Sequence, residues 1–249
     1  MGKKNVDLIT LDIIRDSLLA IGEEMFIAVA RTSKSPIIYE CLDFASGITD
    51  KNGRLLTQGN GACGFLGMLT SLAHSVVEKY AKTGNLHEGD VIICNDPYGG
   101  GGSHLQDVGL ILPVFVNNEI FAYCVNKCHW SELGGKDPGY AVDSTEIYQE
   151  GLQFTCLKLF DRGQINETLI DIIRANVRLP EMSIGDMWAQ ISGLRTGEKR
   201  IHELCEKYNT EIVDMAIDRL LESSAESSRR QVAALPDGVY TNEGSMARA

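Results

Sequence analysis

Apolar residues recur through positions 7–33 at close to helical spacing: Ile9, Leu11, Ile13, Ile14, Leu18, Leu19, Ile21, Met25, Phe26 and Val29. That period predicts one long amphipathic helix, with Thr10 or Asp12 serving near its start. Ser33-Lys34-Ser35-Pro36 ends it, because a proline pushes the preceding residue out of helical geometry. The pattern then shortens. Ile37-Ile38-Tyr39, Phe44 to Ile48 and Arg54 to Thr57 read as short strands, and Asp50-Lys51-Asn52-Gly53 is a hairpin turn signal. Helical spacing returns from Met68 to Thr83, with Gly84-Asn85 as its stop. Val91 to Cys94 is a buried-strand candidate that feeds a glycine-rich loop, Asn95 to His104. Two strands follow, Val108 to Phe115 and Ile120 to Lys127, with Asn117-Asn118 at the turn. Beyond residue 165 the spacing predicts helices over 169–177, 183–196 and 212–225, broken at Gly197 and Asn209, and then a turn at Leu235-Pro236-Asp237-Gly238. The expected class is mixed α+β and loop-rich: a long N-terminal helix, central antiparallel strands and a helical C-terminal segment. No internal repeat or domain boundary is visible, so residues 1–249 read as one unit.

Composition narrows the function classes. With 249 residues and 44% hydrophobic content the chain can bury one large core or two small ones. A net charge of −11 argues against nucleic acid or an anionic membrane as the main partner. No run approaches the ~18 apolar residues of a membrane span, and the first residues lack the apolar run of a signal peptide. Val6 stands where a myristoylation signal needs Ser or Thr. The seven cysteines are odd in number, scattered and set in apolar segments, which predicts reduced thiols in a cytoplasmic protein.

The candidate chemistry lies beside the glycine-rich loop. His104-Leu105-Gln106-Asp107 sets an imidazole and a carboxylate three residues apart where the loop enters a strand, and His129 ends the next strand. If Asn117, Asn118 and Glu119 form a three-residue hairpin loop, Asp107 faces His129 directly, whereas a two-residue turn would slip the register by one. Opposed Cβ atoms sit ~4.5–5.5 Å apart, close enough for both side chains to reach one ion at ~2.0–2.2 Å. His104 would fold back as a third ligand. Two histidines and a carboxylate suit Zn, Fe or Mn with an open coordination position, which would polarise a carbonyl or lower the pKa of a water. The alternative is a set of polar loop residues with structural hydrogen bonds.

Other features read more plainly. Cys124 and Cys128 flank His129 but point to the opposite strand face, so they are expected in the core. The run Gly99 to Gly102 lacks the Gly-Lys-Ser/Thr ending of a phosphate loop, and reads instead as a tight turn. Glu132 and Asp137 are outer or surface groups, Glu146 and Glu150 share a possible helical turn, and Trp188 is expected in the core.

Several segments together resemble a known family. They are Asn95-Asp96-Pro97-Tyr98 with the glycines and His104-Leu105-Gln106-Asp107, then Pro113-Val114-Phe115, His129-Trp130-Ser131-Glu132-Leu133-Gly134-Gly135 and Glu146-Ile147-Tyr148-Gln149-Glu150-Gly151-Leu152, and finally Asn176-Val177-Arg178-Leu179-Pro180 and Gly185-Asp186-Met187-Trp188-Ala189-Gln190. In order and spacing they are similar to the hydantoinase B/oxoprolinase family, which includes N-methylhydantoinase, caprolactamase and 5-oxoprolinase components and the large subunits of acetone and acetophenone carboxylases. The resemblance implies a catalytic divalent metal, Zn or Mn, at His104, Asp107 and His129, with Asp43 as a further ligand. It makes Asp96 and Glu132 candidate catalytic side chains, although the family usually has Asp at the latter position. It implies a hydantoinase A-like partner subunit that uses the ATP, in a hetero-oligomer acting on a small-molecule substrate. It also implies that these residues are the N-terminal half of a full-length member. Three functions follow as expectations: hydrolysis of a cyclic amide, carboxylation of a ketone, or a non-catalytic short paralogue used in assembly.

Overall fold

Helix α1 (Leu8–Thr32) begins where the Asp7 carboxylate accepts from the amide of Thr10 at 3.0 Å and from its hydroxyl at 2.6 Å. The cap is therefore Asp7, with Thr10 as its donor. The helix buries Leu11, Ile14, Leu18, Ile21, Met25, Phe26 and Val29, spaced by three and four, while Ile9, Ile13 and Leu19 of the same apolar set face outward. The protein is described here by a computed structural model that covers residues 6–139 and 142–245. Among them, no helix is long and apolar enough to cross a membrane.

After α1 the expected strand at Ile37-Ile38-Tyr39 is instead a one-turn helix, α2 (Pro36–Tyr39). Pro36 occupies its first turn, where a fixed φ and a missing N–H cost nothing, and the amides of Ile38 and Tyr39 both donate to the Ser35 carbonyl. The hairpin of β1 (Phe44–Asp50) and β2 (Leu55–Gln58) forms as read, with the Asp50 carboxylate accepting from the amides of Asn52 and Arg54. Helix α3 (Leu66–Val76) runs on into a π-helical turn, Val77–Ala81. The remaining strands are β3 (Val91–Cys94), β4 (Asp107–Val116), β5 (Glu119–His129), β6 (Leu157–Asp161) and β7 (Gln164–Ile165). Strands β6 and β7 are short, and the apolar pattern did not predict them.

Among the described residues, seven strands form one antiparallel sheet in the order β2-β1-β5-β4-β3-β6-β7. Helices α1 and α5 (Pro180–Tyr208) pack on one face, against Leu110, Leu112, Val114, Cys124 and Cys128. Helix α3 covers the other, against Ile92, Ile111, Tyr123 and Val125. With both faces covered, the central strands are continuous apolar runs rather than alternating ones. Helices α4 (Glu167–Asn176) and α6 (Thr210–Ala233) complete the helical side. Asn209, at φ 69°, is the expected break between α5 and α6.

Gly197 is not a break. It lies within α5, and a Cβ there would come within 2.5 Å of the Met25 sulfur and 2.7 Å of the Cys124 sulfur. The glycine lets α5 lie against α1 and β5. Trp188 is also not core: it is 47% exposed, with its ring edge-on to Phe160.

Two buried polar residues of α5 fasten the helix to the rest. Asp186 accepts from the amides of Lys34 and Ser35, closing the corner after α1. One turn later Gln190 accepts from the Trp130 indole at 2.8 Å and donates to Val108 O and Asn126 Oδ1, both at 3.0 Å. Replacing Gln190 with Leu leaves the indole N–H and the Asn126 oxygen buried without these partners. The expected cost is about 2–4 kcal/mol, read as a lower urea midpoint with an unchanged denaturant slope.

Candidate metal centre

Asp107 and His129 are direct cross-strand partners at the ends of β4 and β5. The turn, however, has two residues: Asn117 and Asn118 have φ of 54° and 65°, the pair of left-handed conformations that suits a tight hairpin. Val116 therefore pairs with Glu119 and Phe115 with Ile120. A bulge at Phe121 then shifts the pairing by one, so that Val114 meets Ala122 and every later pair lies in the register that a three-residue loop would have produced.

His104 comes in from the loop. Its Nε2 lies 3.8 Å from Asp107 Oδ2, and His129 Nδ1 lies 3.6 Å from Asp107 Oδ1, so the carboxylate has one imidazole on each oxygen. The two rings stand edge to face with centroids 5.0 Å apart. One donor atom from each of the three residues fits within a 4.8 Å span. Ser103 donates to Asp107 Oδ2 at 2.7 Å and holds that oxygen in place. Burial pushes the His104 imidazole to a lower pKa, and neighbouring His129 adds to this while Asp107 opposes it. Burial alone would raise the Asp107 pKa, but hydrogen bonds from His129 and Ser103 outweigh it and hold the carboxyl below its ordinary value. The first shift favours the neutral form of His104 and the second the ionised form of Asp107.

Asp43 sits at the rim. Its side chain is 44% exposed, and Oδ2 lies 3.9 Å from His129 Nδ1, while its carbonyl accepts from the His129 amide. Asp96 and Glu132 belong to other networks. Asp96 accepts from the Tyr98 amide and from Gln153, and lines an open cavity of about 550 Å3 with Lys79, Gly99 and Cys156. Glu132 is buried and accepts from the amides of Gly134, Arg178 and Leu179 and from the Arg178 guanidinium, so it ties the chain after β5 to the start of α5.

The glycine-rich loop is seated by residues on β5, on α3 and at its own base. The Lys127 ammonium is fully buried and donates to Gly101 O at 3.0 Å. Lys127 shares a strand face with His129, two residues away. Gly101 has φ 66°, and a Cβ there would sit 2.1 Å from Ser71 Cβ on α3. Ser75 of α3 donates to Gly99 O. Asn95 closes the loop base, donating to Leu105 O and Leu152 O and accepting from Phe154 N. The glycines thus let the loop pack against α3. Cys124 and Cys128 are buried on the face of α1 and α5, and burial pushes both thiols well above the ordinary range.

The sequence profile described as "Hydantoinase B/oxoprolinase" matches residues 7–249. The chain belongs to the hydantoinase B/oxoprolinase family. A relative assigned as the B component of a D-/L-hydantoinase from Pseudomonas sp. (strain NS671) is 35% identical over 252 residues, which is 97% of this chain and 41% of that protein. The crystal structure of the ATP-dependent caprolactamase from Pseudomonas jessenii superposes with a TM-score of 0.83 at 30% identity, over 94% of this chain and 40% of that one. Nucleotide-free acetone carboxylase matches with a TM-score of 0.79 at 18% identity, over 86% of this chain and 29% of that one. The last likeness is one of fold alone. The chain spans about two fifths of the hydantoinase component and of the caprolactamase chain.

Replacing Glu132 with Ala removes the acceptor of three backbone amides, so this family member should lose about 2–4 kcal/mol of stability, measurable by chemical denaturation. Unchanged stability with lost turnover would instead mark Glu132 as a group that meets the substrate.

Proposed function

We propose that this chain is the metal-bearing catalytic subunit of an ATP-dependent cyclic amide hydrolase, acting on a hydantoin, an oxoproline or a lactam. The observation that carries the reading is the cluster of His104, Asp107 and His129, whose donor atoms lie within 4.8 Å of one another. Two imidazole nitrogens and a carboxylate oxygen suit Zn, Mn or Fe(II). Tetrahedral ligands ~2.1 Å from one ion lie ~3.4 Å apart; the three donor atoms here lie within 4.8 Å of one another, so holding an ion asks the side chains to close in on it. Asp43 joins them by turning its half-exposed carboxylate inward. A divalent ion held there supplies Lewis-acid polarisation of the scissile carbonyl.

The chain's own residues provide orientation. Ser103 fixes one oxygen of Asp107, and Lys127 seats the loop that brings in His104. Of the two candidate catalytic carboxylates, Asp96 is the one that lines an open cavity, and that cavity is walled by Lys79, Gly99 and Cys156 rather than by the cluster. Glu132 serves through the backbone that it braces. In this reading, as the family resemblance implies, the ATP step falls to a hydantoinase A-like partner subunit in a hetero-oligomer. The likeness to a caprolactamase at 30% identity favours a cyclic amide over a ketone as substrate.

The test uses the chain co-expressed with its ATP-binding partner. The native complex should hold stoichiometric Zn, Mn or Fe and hydrolyse ATP in dependence on a lactam or hydantoin. His129→Ala should fold normally and lose the metal, with affinity reduced by roughly 100-fold or more. Unchanged metal content in that variant would refute the ligand assignment. Turnover that requires bicarbonate and a ketone would replace the hydrolase reading with a carboxylase. A metal-free native complex would leave the non-catalytic assembly role.

A further inference from the structure

Cys94 closes β3, and Cys156 lies opposite it one step beyond the last β3–β6 pair, Ile93 with Leu157. Their sulfurs are 3.1 Å apart and both side chains are buried. A disulfide is ~2.05 Å long, so closure asks for roughly 1 Å of approach. The Cys156 side is held from the helical layer. Its residue has φ 53°, a conformation uncommon outside glycine. Its carbonyl is clamped by the Lys79 ammonium at 2.8 Å and the Tyr80 hydroxyl at 2.8 Å. That clamp aims the sulfur at Cys94. Cys156 also lines the 550 Å3 cavity beside Lys79, Asp96 and Gly99, so a small solute there is separated from the fully buried Cys94 by the one sulfur–sulfur step of 3.1 Å.

We propose that Cys94 and Cys156 form a reversible dithiol–disulfide site, oxidised by hydrogen peroxide that enters through this cavity. The Cys156 S–H donates to Cys94, and with Lys127 nearby this holds the Cys94 thiol down at about 7 while pushing that of Cys156 upward. Cys94 is therefore the attacking sulfur. Its thiolate takes one peroxide oxygen, the O–O bond breaks, and the second oxygen leaves as water after gaining a proton. The sulfur of Cys156 then attacks the Cys94 sulfenic acid, the S–O bond breaks and the S–S bond forms, and the hydroxyl leaves with the Cys156 proton as a second water. Two thiols give up two electrons and one peroxide is reduced. A small thiol reverses the change by exchange.

The site sits under the loop described above. A Cβ at Gly100 would lie 2.3 Å from the Cys94 sulfur, so that sulfur forms the floor on which the loop rests. Oxidation moves the floor of the segment that carries Ser103 and His104.

The test needs no substrate and no partner. The native chain is treated with hydrogen peroxide, alkylated and mapped by mass spectrometry. The expected result is a linked pair of peptides containing Cys94 and Cys156, with five of the seven cysteines still titratable, fully reversed by dithiothreitol. Recovery of both residues as free thiols, at a dose that oxidises the exposed Cys41 and Cys63, overturns the proposal. Irreversible over-oxidation of either residue without a cross-link also overturns it. In Cys156→Ser, Cys94 should be trapped by dimedone as a sulfenic acid, and the absence of that adduct refutes the assigned order of attack.

Discussion

Everything at the candidate site depends on one pairing register, that of β4 with β5. Strand side chains alternate between faces, so a slip of one residue would send His129 to the α1–α5 side and bring Cys128 to the metal-facing side. The register is set by two local features that act in opposite senses. The Asn117-Asn118 turn closes the hairpin with two residues, and the extra residue at Phe121 shifts the pairing back. Neither feature alone sets Asp107 against His129. The bulge sits far from the site, near the hairpin tip, yet it decides which side chains line the other end of the sheet.

A register is held only if both faces of the strands are specified. On one face, the apolar row of Leu110, Leu112, Cys124 and Cys128 packs under α1 and α5, with Gly197 allowing the close approach. Gln190 bonds to Val108 O, to the Asn126 side chain and to the Trp130 indole, three points spread across β4, β5 and the residue that follows His129. Because each partner offers one hydrogen-bonding arrangement, a slipped strand would bury unpaired polar groups. On the other face Lys127 meets the loop instead of a helix. Burying an ammonium is unfavourable without partners; burial holds the Lys127 pKa below its ordinary value, and the Gly101 carbonyl together with nearby Asp107 and Cys94 offsets only part of that cost. The same lysine thereby couples the seat of the loop to the strand that carries His129.

Much of this was legible in the residues. Helical spacing found α1, and the turn chemistry of Asp50 to Gly53 and of Asn117-Asn118 found both hairpins. The ligand spacing found His104, Asp107 and His129, which the fold brings together. What stayed hidden depended on tertiary contact. Ile37 to Tyr39 has strand composition, but Pro36 and the Ser35 carbonyl make it a helical turn. Gly197 looks like a stop until Met25 and Cys124 are seen against it. A bulge has no signature in a run as uniformly apolar as Ile120 to Val125. Lys127, Asp186 and Gln190 carry no local sign that they are buried, since each is ordinarily a surface residue.

Charge explains how the rim and the centre fit together under the metal reading. Imidazoles bind a metal in their neutral form, so under that reading the two histidines and the Asp107 carboxylate would bring one negative charge between them and leave a dication half compensated. Lys127, on the same strand face, adds to that imbalance rather than relieving it. Asp43 is the group that would answer it, with its carboxylate 3.9 Å from His129 Nδ1 and its side chain 44% exposed. A ligand fixed by a strand and a ligand that moves serve different ends. Under that reading the buried trio would hold the ion in a preset place, and the exposed Asp43 carboxylate would be the ligand free to adjust. Its backbone limits how far it moves, because the Asp43 carbonyl already holds the His129 amide.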